Sequence, residues 1–470
     1  MKAKIHEECA VFGVSLRTTD EAAGITYNGL LALQHRGQEG AGIAMLTGNN
    51  IFCQKDTGHV NEVFSGDVLQ ELPDSYLAIG HTRYSTTGNN TKENVQPFVS
   101  EYLTGRIATA HNGNVTNARK IRQRLEKRGL HFNATSDSEV LSSLIAYHIM
   151  KSDNTLQGVI TAANEFRGAF SLVILSSENK LIAVRDPNGY RPLCVGRSDA
   201  GVAIASESCA LDSCGFSFVR NVEPGEVIVI ENGEITSNSI ELHHKQENCG
   251  ICIFEYVYFA RPDSLIDHLS VYEARYNMGK ILAEQHPVEA DVVCGLPDSG
   301  LEAAIGYSAK SGIPLVSGFV KNRYIGRSFI YPSQSQRESA VRLKLNPLAA
   351  NIYGKRIVLV DDSIVRGTTS ARIVRLLKSI GAKEVHMRIS SPPFRFTCHY
   401  GTDIDSEENL IANKISLDEI REKLGADSLG YISIEGLKKA CENCSLDFCT
   451  NCFTGNNNQA FDKKDVLEEI

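Results

Sequence analysis

The stretch "IVLVDDSIVRGTTSARIV", residues 357–374, constrains the fold of its half of the chain more than any other. A buried-strand pattern ends on two carboxylates, a glycine-bearing loop follows, and a helix opens with hydroxyls in its first turn. The same alternation recurs nearby, where "ADVVCGLPDS" runs into "GLEAAIGYSAKSG". Short apolar strands alternating with helices form βαβ units, so the chain from about residue 250 onward is expected to be α/β with a parallel sheet.

The loop also carries chemistry. A helix N-terminus offers free N–H groups and the positive end of the dipole. In "RGTTS", Arg366 precedes Gly367, which lets the backbone approach a phosphate, and Thr368, Thr369 and Ser370 supply hydroxyls. Asp361 and Asp362 can accept hydrogen bonds from ribose hydroxyls or act through Mg2+, which prefers oxygen ligands. The G-x-x-x-x-G-K motif of nucleoside-triphosphate loops is missing. The alternative is an ordinary strand-to-helix turn with solvated acids. The stretch resembles the phosphoribosyl-pyrophosphate loop of type I phosphoribosyltransferases. "CGLPDSGLEAA" resembles that family's pyrophosphate loop, and "KNRYIGRSFIYPSQSQRE" its catalytic flap, with Lys321, Arg323 and Arg327 to offset the charge of a leaving pyrophosphate. The resemblance implies phosphoribosyl pyrophosphate as substrate and Mg2+ on Ser299, Asp361 and Asp362.

Residues 9 to about 240 read differently, as strands such as "AFSLVILSS", "KLIAVRD" and "GEVIVIENGEI" punctuated by Gly, Asn and Pro, with helices over "ARKIRQRLEKRG" and "SDSEVLSSLIAYHIM". Ser136 or Asp137 caps the second helix. In front stands "MKAKIHEECAVFG": if the first eight residues are removed, Cys9 carries both a thiol and a free α-amino group. That amine, with a pKa near ~8, can take the thiol proton unaided, which suits acyl transfer from an amide. The segments "LQHRGQEGAG", "GHTRYSTTG", "AHNGNV" and "TSDSE" hold the candidate partners. Arg83 can clamp an α-carboxylate, Asp137 can receive an α-ammonium, and Asn112 with Gly113 can donate to an oxyanion. Each has a plainer alternative: "HNGN" as a hairpin turn, "SDSE" as a helix cap, Arg83 as a surface residue.

Jointly these residues resemble the N-terminal-nucleophile glutamine amidotransferases, which implies an α+β, αββα glutaminase domain with glutamine as substrate. Ala10 departs from the glycine common after the nucleophile. A glutaminase half followed by a phosphoribosyltransferase half resembles the amidophosphoribosyltransferase family. The resemblance implies that ammonia from glutamine displaces pyrophosphate to give 5-phosphoribosylamine, the committed step of purine synthesis. It also implies feedback inhibition by purine nucleotides and a homotetramer. Glucosamine-6-phosphate synthase shares the glutaminase half but pairs it with sugar isomerase domains, which "VLVDDSIVRGTTS" does not fit. A purine-responsive DNA-binding regulator is disfavoured by the net charge of −8 and the lack of a recognisable helix-turn-helix, so no nucleic-acid partner is expected.

Thirteen cysteines in a chain with neither an 18-residue apolar run nor a signal-peptide core are expected to stay reduced in the cytoplasm, with no membrane partner. "CENCSLDFCTNCFTG" holds Cys441, Cys444, Cys449 and Cys452, but a gap of four residues between the pairs is short for a local zinc site. One branch of the resembling family carries a 4Fe-4S cluster and a removable leader. Its ligand positions match Cys252, Cys398, Cys449 and Cys452, with Cys249, Cys441 and Cys444 as competitors. The expected organisation is a leader over 1–8, a glutaminase domain over 9–245, a phosphoribosyltransferase domain over 246–455 and a tail over 456–470.

Overall fold

The computed structural model describes residues 9–84, 90–240, 250–322, 345–402, 404 and 406–455. The leader 1–8, Cys249, Arg323 and Arg327 of the flap, the expected boundary at 245/246 and the tail 456–470 lie outside the described residues.

In the first domain, the period-two alternation of the strands serves two cores at once. Along Ala10–Leu16, residues Ala10, Phe12, Val14 and Leu16 pack toward the helix Ala22–Ala32, while Val11 packs toward a second sheet. This strand lies at the centre of a seven-stranded antiparallel sheet, between Gly201–Ala205 and Leu77–Arg83. A six-stranded antiparallel sheet faces it, with Gly105–Val115 between Phe98–Tyr102 and Gly168–Ser176. Ile79, Ala110, Val173 and Ile204 fill the space between the sheets, and the helices Asp137–Ser152 and Thr155–Glu165 cover the outer face of the second. The layers run helix, sheet, sheet, helix, the expected αββα order.

The second domain is built on four parallel strands in the order Val292–Gly295, Arg356–Asp361, Glu384–Ile389, Ser428–Tyr431. The run "IVLV" is apolar throughout because both faces are covered: Val358 and Val360 join one core, Ile357 and Leu359 the other. Gly367, with φ +74°, turns the chain into the helix Thr368–Ser379.

Buried ion pairs join the domains. Arg185 meets Asp267 through two hydrogen bonds of 2.8 Å, and Arg36 meets Glu255 at 2.7 and 2.9 Å. The rings of Tyr190 and Tyr400 stack across the same boundary with centroids 4.4 Å apart.

Candidate functional site

Cys9 immediately precedes the strand Ala10–Leu16 and is buried. Its Sγ stands 3.3 Å from the Tyr84 carbonyl oxygen and 3.4 Å from the Tyr84 N–H. Burial pushes the thiol up to about 11; the Tyr84 backbone and Arg83 oppose that rise, and Asp137 and Glu39 add to it. Such a thiol stays protonated at neutral pH until a base takes the proton.

Two of the sequence-predicted partners, Arg83 and Asp137, act on its thiol through their charges. Arg83 ends the neighbouring strand, buried rather than on the surface, and its Nη1 donates to Asn90 Oδ1 at 3.3 Å. Asp137 is the first residue of its helix, capped by Ser136, and its Oδ2 accepts from the Val115 N–H at 3.0 Å. "HNGN" is not a hairpin turn. It lies inside the strand Gly105–Val115, where Gly113 has φ +137° and an added Cβ would stand 2.1 Å from the Ala169 carbonyl oxygen. The Asn112 side-chain amide nitrogen is buried without an acceptor among the described residues. Leaving a buried donor unpaired costs about 1–3 kcal/mol, so this amide is available to an incoming acceptor.

One member escaped the sequence reading. Arg36, in "LQHRGQEGAG", is fully buried, and its Nε–H donates to the Cys9 carbonyl oxygen at 3.3 Å. Its other nitrogens reach Glu207 at 2.7 Å and Glu255 of the second domain. Glu207 is held well below the usual carboxylate range: burial works against this, and His35 and Arg36 prevail.

In the second domain, Asp361, Asp362, Arg366, Gly367, Thr369 and Ser370 line one open pocket of about 440 Å³, together with Tyr258, which the sequence reading also missed. Thr368 begins the helix beside it but is not part of the lining. The Ser299 hydroxyl donates to the Asp362 carboxylate, and Lys321 pairs with Asp298 of the adjacent loop. A hydroxyl and two buried carboxylates form an oxygen-rich set that fits a hard divalent cation.

Cys252, Cys398, Cys449 and Cys452 line one cavity together with Tyr190, Arg191 and Tyr400. Cys252 and Cys449 are register partners in a short parallel pair. Cys441 and Cys444 do not line that cavity; the Cys444 Sγ accepts from the Tyr256 hydroxyl at 3.4 Å. Among the described residues no group of three or more His, Cys, Asp or Glu closes on a single metal ion. Four thiols around a cavity suit a cluster, which spans more space than one ion. All twelve described cysteines are free, and no described helix is long and apolar enough to cross a membrane.

Family models match the chain in two places: a glutamine amidotransferase domain at residues 81–213 and a phosphoribosyl transferase domain at residues 266–390. The chain is 48% identical to an amidophosphoribosyltransferase of Methanocaldococcus jannaschii, covering 95% of this chain and 97% of that protein. It is similar, with TM-score 0.87 and 46% identity over 95% of this chain and 96% of the other, to a solved allosteric regulatory enzyme of purine biosynthesis. A glutamine phosphoribosylpyrophosphate amidotransferase from B. subtilis, solved in complex with ADP and GMP, gives TM-score 0.86 and 45% identity over 95% and 97% of the two chains.

Proposed function

The chain belongs to the amidophosphoribosyltransferase family, which makes 5-phosphoribosylamine from glutamine and phosphoribosyl pyrophosphate in purine biosynthesis, and from that premise we propose how its own residues divide the work. Residues 1–8 are a removable leader, and Cys9 is the nucleophile of a glutaminase domain ending near 245. Its freed amine takes the thiol proton, Sγ bonds to the amide carbon, and that proton goes to the departing nitrogen as ammonia; water then cleaves the thioester to glutamate. Asn112 and Gly113 donate to the oxyanion, Arg83 clamps the α-carboxylate and Asp137 receives the α-ammonium. The observation that carries this reading is a buried Cys9 under the charges of Arg83 and Asp137, together with an Asn112 side-chain amide buried without an acceptor among the described residues.

In the phosphoribosyltransferase domain, 246–455, the loop from Arg366 to Ser370 holds the ribose phosphate through backbone N–H groups and hydroxyls, and Asp361 with Asp362 face the ribose. Ammonia forms the new C–N bond as pyrophosphate leaves, with Lys321 and Arg323 offsetting its charge. Bound Mg2+ would supply further charge neutralisation on Ser299, Asp361 and Asp362. One 4Fe-4S cluster on Cys252, Cys398, Cys449 and Cys452 would tie the C-terminal segment to the domain, since no step changes oxidation state. Purine nucleotides act as feedback inhibitors, a reading supported by the nucleotides bound in the B. subtilis relative, and the enzyme works as a cytoplasmic homotetramer.

The test is intact mass with iron content on anaerobically purified protein. Loss of Met1 to Glu8 with about four irons per chain is expected. A full-length mass together with glutaminase activity would overturn the leader assignment, and processed protein without iron would overturn the cluster.

A further inference from the structure

We propose that the loop Cys398–Thr402 of the second domain braces the oxyanion pair of the first, making Asn114 and Gly401 positioning residues for glutamine hydrolysis. The inference rests on the assignment of Asn112 and Gly113 as that pair. The Asn114 side-chain N–H donates to the His399 carbonyl oxygen at 2.9 Å, across 285 residues of sequence. Gly401 has φ +109°, and a Cβ there would stand 3.0 Å from Arg191 Nη2, 3.1 Å from the Gly113 carbonyl carbon and 3.4 Å from the Asn114 nitrogen. The Gly113–Asn114 peptide is therefore in close contact with a backbone that only glycine allows to come so near.

The loop is itself held. Arg191 Nη2 donates to the Tyr400 carbonyl oxygen at 2.6 Å, and the Tyr400 N–H points at Cys398 Sγ at 3.3 Å. The Tyr400 ring lies on Tyr190 at an interplanar angle of 17°. On its far side, Gly113 already sits against the Ala169 carbonyl with no room for a side chain. The peptide following the oxyanion pair is confined between its neighbouring strand and this loop. Donors aimed at a developing charge work only when preorganised, and a misplacement of about 1 Å can cost on the order of 100-fold in rate. Because Cys398 anchors the same loop, the cysteine cavity and the oxyanion pair share one support.

The experiment compares Asn114→Ala, Gly401→Ala and Asn112→Ala in the full-length enzyme. It measures kcat and KM for glutamine hydrolysis beside the rate of 5-phosphoribosylamine formation from added ammonium. Asn114→Ala and Gly401→Ala are expected to lower the hydrolysis kcat by about tenfold or more, with KM and the ammonium-dependent rate changed by less than about twofold. Should Gly401→Ala fail to fold, Asn114→Ala decides alone, since it removes one side-chain contact and adds no bulk. Unchanged hydrolysis by Asn114→Ala beside a collapse in Asn112→Ala overturns the brace and leaves the oxyanion pair standing. Full hydrolysis by Asn112→Ala overturns the pair and the brace together. A parallel fall of glutamine- and ammonium-dependent rates in Asn114→Ala also overturns the brace, because the effect is then not confined to the first site.

Discussion

Arg36→Met tests how the first site is tied to the second domain. The guanidinium sits between two buried carboxylates, reaching Glu207 at 2.7 Å and Glu255 at 2.7 and 2.9 Å, and its Nε–H holds the Cys9 carbonyl oxygen. Methionine fills similar space without charge. Glu207 would keep His35 at 2.8 Å, the Ser264 hydroxyl at 2.6 Å and the Arg261 N–H at 2.9 Å. Glu255 would keep, among the described residues, only Arg191 at 3.5 Å. Removing one partner of a buried pair costs about 3–5 kcal/mol, and with Glu207 still satisfied the lower end, ~3 kcal/mol, applies. At roughly 2–4 °C per kcal/mol the thermal midpoint should fall by roughly 6–12 °C, read by scanning calorimetry. Adding Glu255→Leu removes the stranded carboxylate and should restore at least about half of the loss. A midpoint shift under about 2 °C for Arg36→Met, or no recovery in the double variant, would refute the reasoning.

Asp361→Asn and Asp362→Asn should each abolish product formation from glutamine and from ammonium alike while leaving Cys9 labelling by a reactive glutamine analogue intact; a loss confined to glutamine would contradict the assignment of these acids to the second site. His81 is buried with its Nε2 3.1 Å from the His111 carbonyl oxygen, and burial lowers its pKa from the usual 6.5 to about 3. Between those two values the unfolded chain binds a proton that the folded chain refuses, so stability should fall as pH drops below about 6.5. His81→Gln should flatten that slope in urea unfolding between pH 4 and 6.5; an unchanged slope would place the acid sensitivity elsewhere.

The strand, loop and helix around Asp361 and Asp362 were legible because their signals are local: an apolar run, two acids, a glycine and early hydroxyls within 18 residues. Cys9 stood out for a similar reason, a cysteine directly behind a short charged stretch and ahead of an apolar run. Three features were not readable in a window. Arg36 is paired with Glu255, 219 residues away, and the sequence gives no period that links them. Tyr258 enters the pocket lined by Asp361 and Asp362 from the segment Glu255–Phe259, which carries no binding signature of its own. "HNGN" has the composition of a turn, yet the strand continues through it because Gly113 is required for close approach to Ala169. That Cys252 and Cys449 are neighbours was likewise not readable in a window, since they meet only through a parallel pairing between distant segments.

The central claim is that nitrogen released at Cys9 becomes the amine of the product. Glutamine labelled with nitrogen-15 in its amide, supplied with phosphoribosyl pyrophosphate to the wild type and to Cys9→Ala, tests it directly. The wild type should place the label in 5-phosphoribosylamine, whereas Cys9→Ala should transfer none of it yet still form product from added ammonium. Glutamine-derived label in the product of Cys9→Ala would contradict the account.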